Sequence, residues 1–173
     1  MLPQLLKGML LGIGAAAPIG PVNVEIARRT LTRGFRAGFA LGLGAVTVDV
    51  TYALLSSLGM AQLAPYPKYY RPLQVAGAIL LTYLGVMSLI AATRAVNKPD
   101  VDVEHSPKGS LYGGYVTGLL MTFFNPMTLL FWFTAVPSAA GSAQERGDLP
   151  IIAIGVFVAT LGWVVFFAST LKA

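Results

Sequence analysis

The chain contains no cysteine in its 173 residues, which excludes disulfides, thiolate metal sites and a cysteine nucleophile. It has a single histidine, His105, and no serine lies at helical spacing from it. No pairing of acids and histidines within the apolar segments has metallo-enzyme spacing. The glycine-rich stretches lack a Lys-Ser or Lys-Thr pair, so a phosphate loop is not supported. Charged residues make up only 11%, and the longest polar stretch, about Arg94 to Ser110, is too short to bury a core of its own. The expectation is a protein that is not an enzyme and carries neither metal nor cofactor.

What the sequence has in abundance is apolar length. The composition is 55% apolar and the mean hydropathy is +0.71, values of an integral membrane protein. Five spans are expected in one domain covering residues 1–173: Leu5–Ala27, Ala37–Gly59, Pro72–Thr93, Leu111–Thr134 and Leu149–Leu171. Each approaches the roughly 20 residues that cross about 30 Å of hydrocarbon. The fold class is therefore all-α, a polytopic transmembrane helix bundle. Lys7, an apolar run and Ala15-Ala16-Ala17 mimic a secretory signal, but Pro18 follows the would-be cut, so the segment reads as a retained span.

The net charge of +5 and pI near 9.7 fit topology better than nucleic acid. Eight basic residues (Arg28, Arg29, Arg33, Arg36, Arg94, Lys98, Lys108 and Lys172) fall on one side of the expected spans, and four (Lys7, Lys68, Arg71 and Arg146) on the other. The positive-inside rule then puts the N-terminus outside and the C-terminus in the cytoplasm. Glycines four apart, as in Gly8/Gly12, Gly34/Gly38/Gly42 and Gly114/Gly118, are a helix-packing signal. Tyr66, Tyr69, Tyr70, Tyr112, Tyr115 and Trp132 lie near span ends, where amphipathic rings favour the interface.

The first span is broken. Pro18-Ile19-Gly20-Pro21 removes backbone donors in the middle of an apolar segment, and Asn23 and Glu25 follow at once. Freed backbone groups are tolerated in hydrocarbon only beside protein or a water-filled cavity, so a binding site is expected there. Asn23 offers a donor and an acceptor to a substrate. Glu25 reads first as a partner for Arg28 or Arg29 one turn away and second as a cation ligand. The fourth span carries a counterpart, Asn125-Pro126, with Thr122 and Thr128 at hand. There, a substrate contact and a kinked helix capped by its own Asn remain equal readings.

Asp49 is the sharpest single residue. It lies near the middle of the second span between Val48 and Val50, with Thr47 and Thr51 close in sequence. A carboxyl at that depth costs about 3 kcal/mol on insertion scales and usually faces a cavity, a partner or a proton path. A functional role is the preferred reading, and a protonated Asp bonded to a Thr or Asn of a neighbouring helix is the alternative. Asp100, Asp102, Glu104 and His105 read as solvated loop charges rather than a cation site.

The first and fourth spans both place a Gly (Gly12, Gly118) several residues before a Pro and Asn pair. Separated by three spans, such copies would be inverted repeats, a common frame for a midplane transport site. Chance similarity is the other reading.

Pro18-Ile19-Gly20-Pro21-Val22-Asn23, then Arg33-Gly34, then Gly44 with Asp49, and finally Gly118 with Asn125-Pro126 resemble the LysE/RhtB family of bacterial amino-acid exporters over almost the whole chain. Trp163 fits an aromatic position common in that family's fifth span. The resemblance implies an inner-membrane carrier, driven by the proton gradient, whose broken first and fourth helices meet on the substrate path. It also implies a second three-helix repeat that is incomplete here, since members usually have a sixth span. Many members have a Lys where this chain has Met127.

The expected function is export of amino acids or similar zwitterions. Asp49 would couple to protons, and Pro18, Gly20, Pro21, Asn23, Asn125 and Pro126 would form the substrate site. A cation exporter and a non-transporting membrane scaffold are the alternatives. The expected partners are a small-molecule substrate, the lipid bilayer and a second copy in a homodimer, with Gly34/Gly38/Gly42 as one candidate face.

Overall fold

Proline decides where the first apolar segment stops being a helix. In the computed structural model, α1 (Leu2–Ala16) ends just before Pro18, and α2 (Pro21–Arg33) begins on Pro21, where a missing N–H leaves no helix bond unmade. The two halves are bent by 76°. Gly34 then turns the chain with φ at +85°, a conformation costly for any residue with a Cβ, and α3 (Phe35–Leu63) follows.

The second break repeats this logic. The Ser110 hydroxyl caps α4 (Leu111–Phe123) by accepting the Tyr112 N–H at 3.2 Å. Pro126 opens α5 (Pro126–Ala139), and these halves are bent by 61°. The last helix is α6 (Leu149–Thr170). The structure describes residues 1–63, 110–139 and 149–171, together with Lys68, Pro72, Val75, Ile79, Thr82 and Val86, which are helical and exposed. Most of the third expected span, Pro72–Thr93, and the loop bearing Asp100, Asp102, Glu104 and His105 lie outside the described residues.

Every regular element among the described residues is helical, as the expected all-α membrane bundle requires. Phe35–Gly59 and Leu149–Thr170 are each long and apolar enough to cross a bilayer, and each bent pair meets the same standard when its halves are taken together. Leu2, Leu6, Leu10 and Ile13 form an exposed stripe at helical spacing on α1, as a lipid-facing surface would.

The helix α3 lies at the centre, packed against α2, α4, α5 and α6, while α1 packs chiefly on α6. In lipid, helices associate through close packing and hydrogen bonds rather than the hydrophobic effect, so small residues matter at the crossings. Gly8 and Gly12 bring α1 onto the Ile152 and Val156 backbone of α6. Gly44 and Gly118 bring α3 and α4 together, and a Cβ on Gly118 would collide with the Leu41 carbonyl. One buried cluster joins Val48, Tyr52, Trp132, Ile152 and Val156; another joins Ile26, Leu41, Val46 and Val164.

Two sequence expectations change on this scaffold. Trp132 is not an interfacial ring: it is fully buried, because α5 turns inward after the break. Gly38 packs on Thr30 and Gly42 on Val164, so these positions are occupied within the chain and are not an open face for a second copy. Thr47 and Thr51, close to Asp49 in sequence, are exposed and donate to backbone carbonyls one turn earlier.

Candidate functional site

The two breaks face each other across a cavity of about 70 Å³, room for several waters. Its wall takes Pro18, Gly20 and Asn23 from the first break, Asp49 from α3, Thr122, Asn125 and Thr128 from the second break, and Thr160 and Trp163 from α6. Ala15, Ala16, Ala45, Val46 and Val164 supply apolar surface. Of the residues singled out in the sequence, Pro18, Gly20, Asn23, Asp49 and Asn125 therefore come together. Pro21 and Pro126 do not line the cavity; each opens the half-helix behind it.

Asn23 repairs the first break. Its amide donates to the carbonyls of Ala16 at 2.8 Å and Pro18 at 2.9 Å, groups left without helical partners by the prolines. Its Oδ1 accepts the Trp163 indole N–H at 3.4 Å. Both amide hydrogens are thus engaged by the backbone, which makes Asn23 a bracket as well as a wall residue. The amino end of α2, two residues before Asn23, has no side-chain cap, and Gly20 and Val22 of this turn face the cavity. That end carries the positive pole of the helix dipole and suits a carboxylate.

The second break is closed differently. Asn125 Oδ1 accepts the Met127 N–H at 3.0 Å and so caps α5. The Asn125 N–H returns to the Thr122 carbonyl at 3.2 Å, and the Phe123 carbonyl accepts the Tyr52 hydroxyl of α3 at 2.8 Å. Thr122 Oγ1 is buried with no hydrogen-bond partner among the described residues. An orphaned hydroxyl on a cavity wall is where a ligand or water is wanted.

Asp49 is 7% exposed and lines the same space. Its Oδ1 accepts the Trp132 indole N–H at 2.9 Å. Glu25 stands apart from the cavity. It is bound to Arg28 and Arg29, each at 2.7 Å, and so takes the ion-pair reading. Arg29 fits there because Gly114 on α4 leaves room for its guanidinium.

Sequence reasoning missed Trp132 as the partner of Asp49, Tyr52 as the clasp of the second break, and Thr160 on the wall. Tyr52 stands three residues after Asp49 on α3 and could have been flagged as a hydroxyl on the same helix face. Thr160 gave no signal beyond being a hydroxyl in an apolar run.

A family model described as "LysE type translocator" matches residues 13–173. The chain is 31% identical over 164 residues to YcgF of Bacillus subtilis strain 168, covering 91% of this chain and 75% of the relative. That relative's name carries a provisional assignment as an amino acid efflux protein. The chain is also 30% identical over 166 residues to the chemotactic transduction protein ChpE of Pseudomonas aeruginosa, covering 94% of this chain and 79% of that relative. No solved structure matches at a significant level.

Proposed function

The chain belongs to the LysE type translocator family, and from that premise we propose that it exports amino acids or similar small zwitterions across the bacterial inner membrane, driven by the proton gradient. Membership makes it a multi-pass membrane transporter and not an enzyme. The observation that carries the finer reading is the cavity where both broken helices converge on one buried carboxyl. Broken helices at a shared cavity are a recurrent way to hold a small charged substrate within a bilayer.

The roles follow from the chemistry of the wall. The uncapped amino end of α2 receives the substrate carboxylate. The Asn125 amide and the hydroxyls of Thr122 and Thr128 face the polar groups of the substrate, while Asn23 keeps the Pro18–Gly20 backbone in shape. Asp49 holds the coupling proton, since a carboxyl in a low-dielectric wall is far less costly neutral than charged. Pro21 and Pro126 act by making the breaks.

The alternative of a metal-ion exporter is disfavoured by ligand supply. A hard divalent cation takes several oxygen ligands, and Asp49 is the only carboxyl on the cavity wall among the described residues. No group of three or more His, Cys, Asp or Glu gathers among them.

The test is counterflow in proteoliposomes, with a panel of amino acids and divalent metals offered to vesicles preloaded with each. Amino-acid exchange without metal exchange is the expected result. Metal exchange alone would favour the cation reading, and the absence of any substrate-dependent flux would favour a scaffold.

A further inference from the structure

The two breaks are fastened by different means. The first is held within its own pair of half-helices: Asn23 of α2 ties down the Ala16 and Pro18 carbonyls through a neutral amide. The second has its own Asn125 cap and is held from outside as well, by α3. Tyr52 grips the end of α4 through the Phe123 carbonyl, and Asp49 grips α5 through the Trp132 indole N–H. Tyr52 and Asp49 lie one turn apart on α3, so a single helix face spans the second break. One of these two fastenings is a carboxyl that can change its charge.

We propose that Trp132 is a positioning residue that latches the half-helix α5 to α3 through Asp49, so that the occupant of the carboxyl sets the position of α5. This rests on the reading of Asp49 as the proton carrier. An indole N–H is a donor and nothing else. It bonds an ionised carboxylate roughly twice as strongly as a neutral acceptor, so a proton arriving at Asp49 weakens the latch. The ring is fully buried in the cluster formed by Val48, Tyr52, Ile152 and Val156, so a change at its N–H is transmitted to packed neighbours instead of being lost to solvent.

Nothing else among the described residues competes for the role. The other helices around Asp49 present amide, hydroxyl and indole groups to the cavity: Asn23 from α2, Thr122 from α4, Thr128 from α5, and Thr160 and Trp163 from α6. On α3 itself, the Tyr52 hydroxyl is already donated to Phe123. Glu25, Arg28 and Arg29 on α2 are the nearest charges along that element; they pair with one another and do not line the cavity.

The chain has two tryptophans, which makes the latch directly observable. In full-length Trp163→Phe protein in lipid nanodiscs, Trp132 is the sole indole, and its emission should change along a pH titration. Adding Asp49→Asn should abolish that titration, because an amide still accepts the N–H but cannot change its charge. A titration that persists with Asn at 49, or none in Trp163→Phe alone, would overturn the latch. Flux gives the second measurement, on Trp132→Phe, which keeps an aromatic ring and loses the donor. Gradient-driven transport should fall by about tenfold, the scale of a lost charge-assisted bond, while counterflow exchange changes much less. Equal losses in both, or no loss in either, would make Trp132 a packing residue only. No flux in the unmodified protein would instead defeat the transport reading itself, which separates the two failures.

Discussion

Asn23 shows how one side chain can make a broken helix tolerable in a bilayer. It supplies donors to two carbonyls that water would otherwise have to satisfy. Asn23→Ala should therefore destabilise the protein by about 2 kcal/mol or more, since each buried group left unpaired costs roughly 1–3 kcal/mol. Asn23→Asp should also destabilise, because a carboxyl has at most one hydrogen to give where the amide gives two. Thermal denaturation in mild detergent reads both, and midpoints equal to the original would refute the bracket. The sequence made Asn23, Asp49 and Asn125 visible because a polar group in an apolar run is costly, and costly groups have reasons. It could not show that Asn23 bonds backward to the break. The partner of Asp49 was hidden for a related reason: an indole at the end of an apolar run reads alike whether it meets lipid headgroups or a buried carboxyl.

At the scale of elements, the breaks were legible and the crossings were not. Pro18, Gly20, Pro21 and Asn125-Pro126 announce interrupted helices through the backbone chemistry of proline alone, and α1/α2 and α4/α5 part there. Glycine spacing announces close approach but not the partner, which depends on how the helices lie in three dimensions. Thus Gly38 and Gly42, readable as a dimer face, meet Thr30 and Val164 of their own chain. The structure turns that ambiguity into a test. A Cβ at Gly118 would run into the Leu41 carbonyl of α3, whereas one at Gly113 would meet only the Ser110 Cβ at 4.0 Å. Gly118→Ala should cost about 1–3 kcal/mol through forced separation of α3 and α4. Gly113→Ala should stay within about 0.5 kcal/mol of the original. Denaturation midpoints that fall equally for the two would mean that α3 and α4 do not approach as closely as described.

For the whole molecule, the proposed orientation and the proposed driving force stand on separate observations. The eight-to-four imbalance of basic residues predicts that the Arg28–Arg36 junction of α2 with α3 and the Arg94–Lys108 segment face the cytoplasm. The chain has no cysteine to remove, so Ser106→Cys and Ser142→Cys can be labelled singly in intact cells with an impermeant reagent. Ser142→Cys should label and Ser106→Cys should be protected; the reverse pattern would invert the topology. The driving force depends on one carboxyl. Asn at position 49 copies the neutral acid in size, still accepts the Trp132 N–H and never charges, so Asp49→Asn should insert and fold at least as well as the original. The decisive measurement is amino-acid accumulation by reconstituted Asp49→Asn protein under an imposed pH gradient, with counterflow exchange as the internal control. Gradient-driven accumulation should be lost while exchange is retained. Full gradient-driven accumulation by well-folded Asp49→Asn protein would contradict the coupling role.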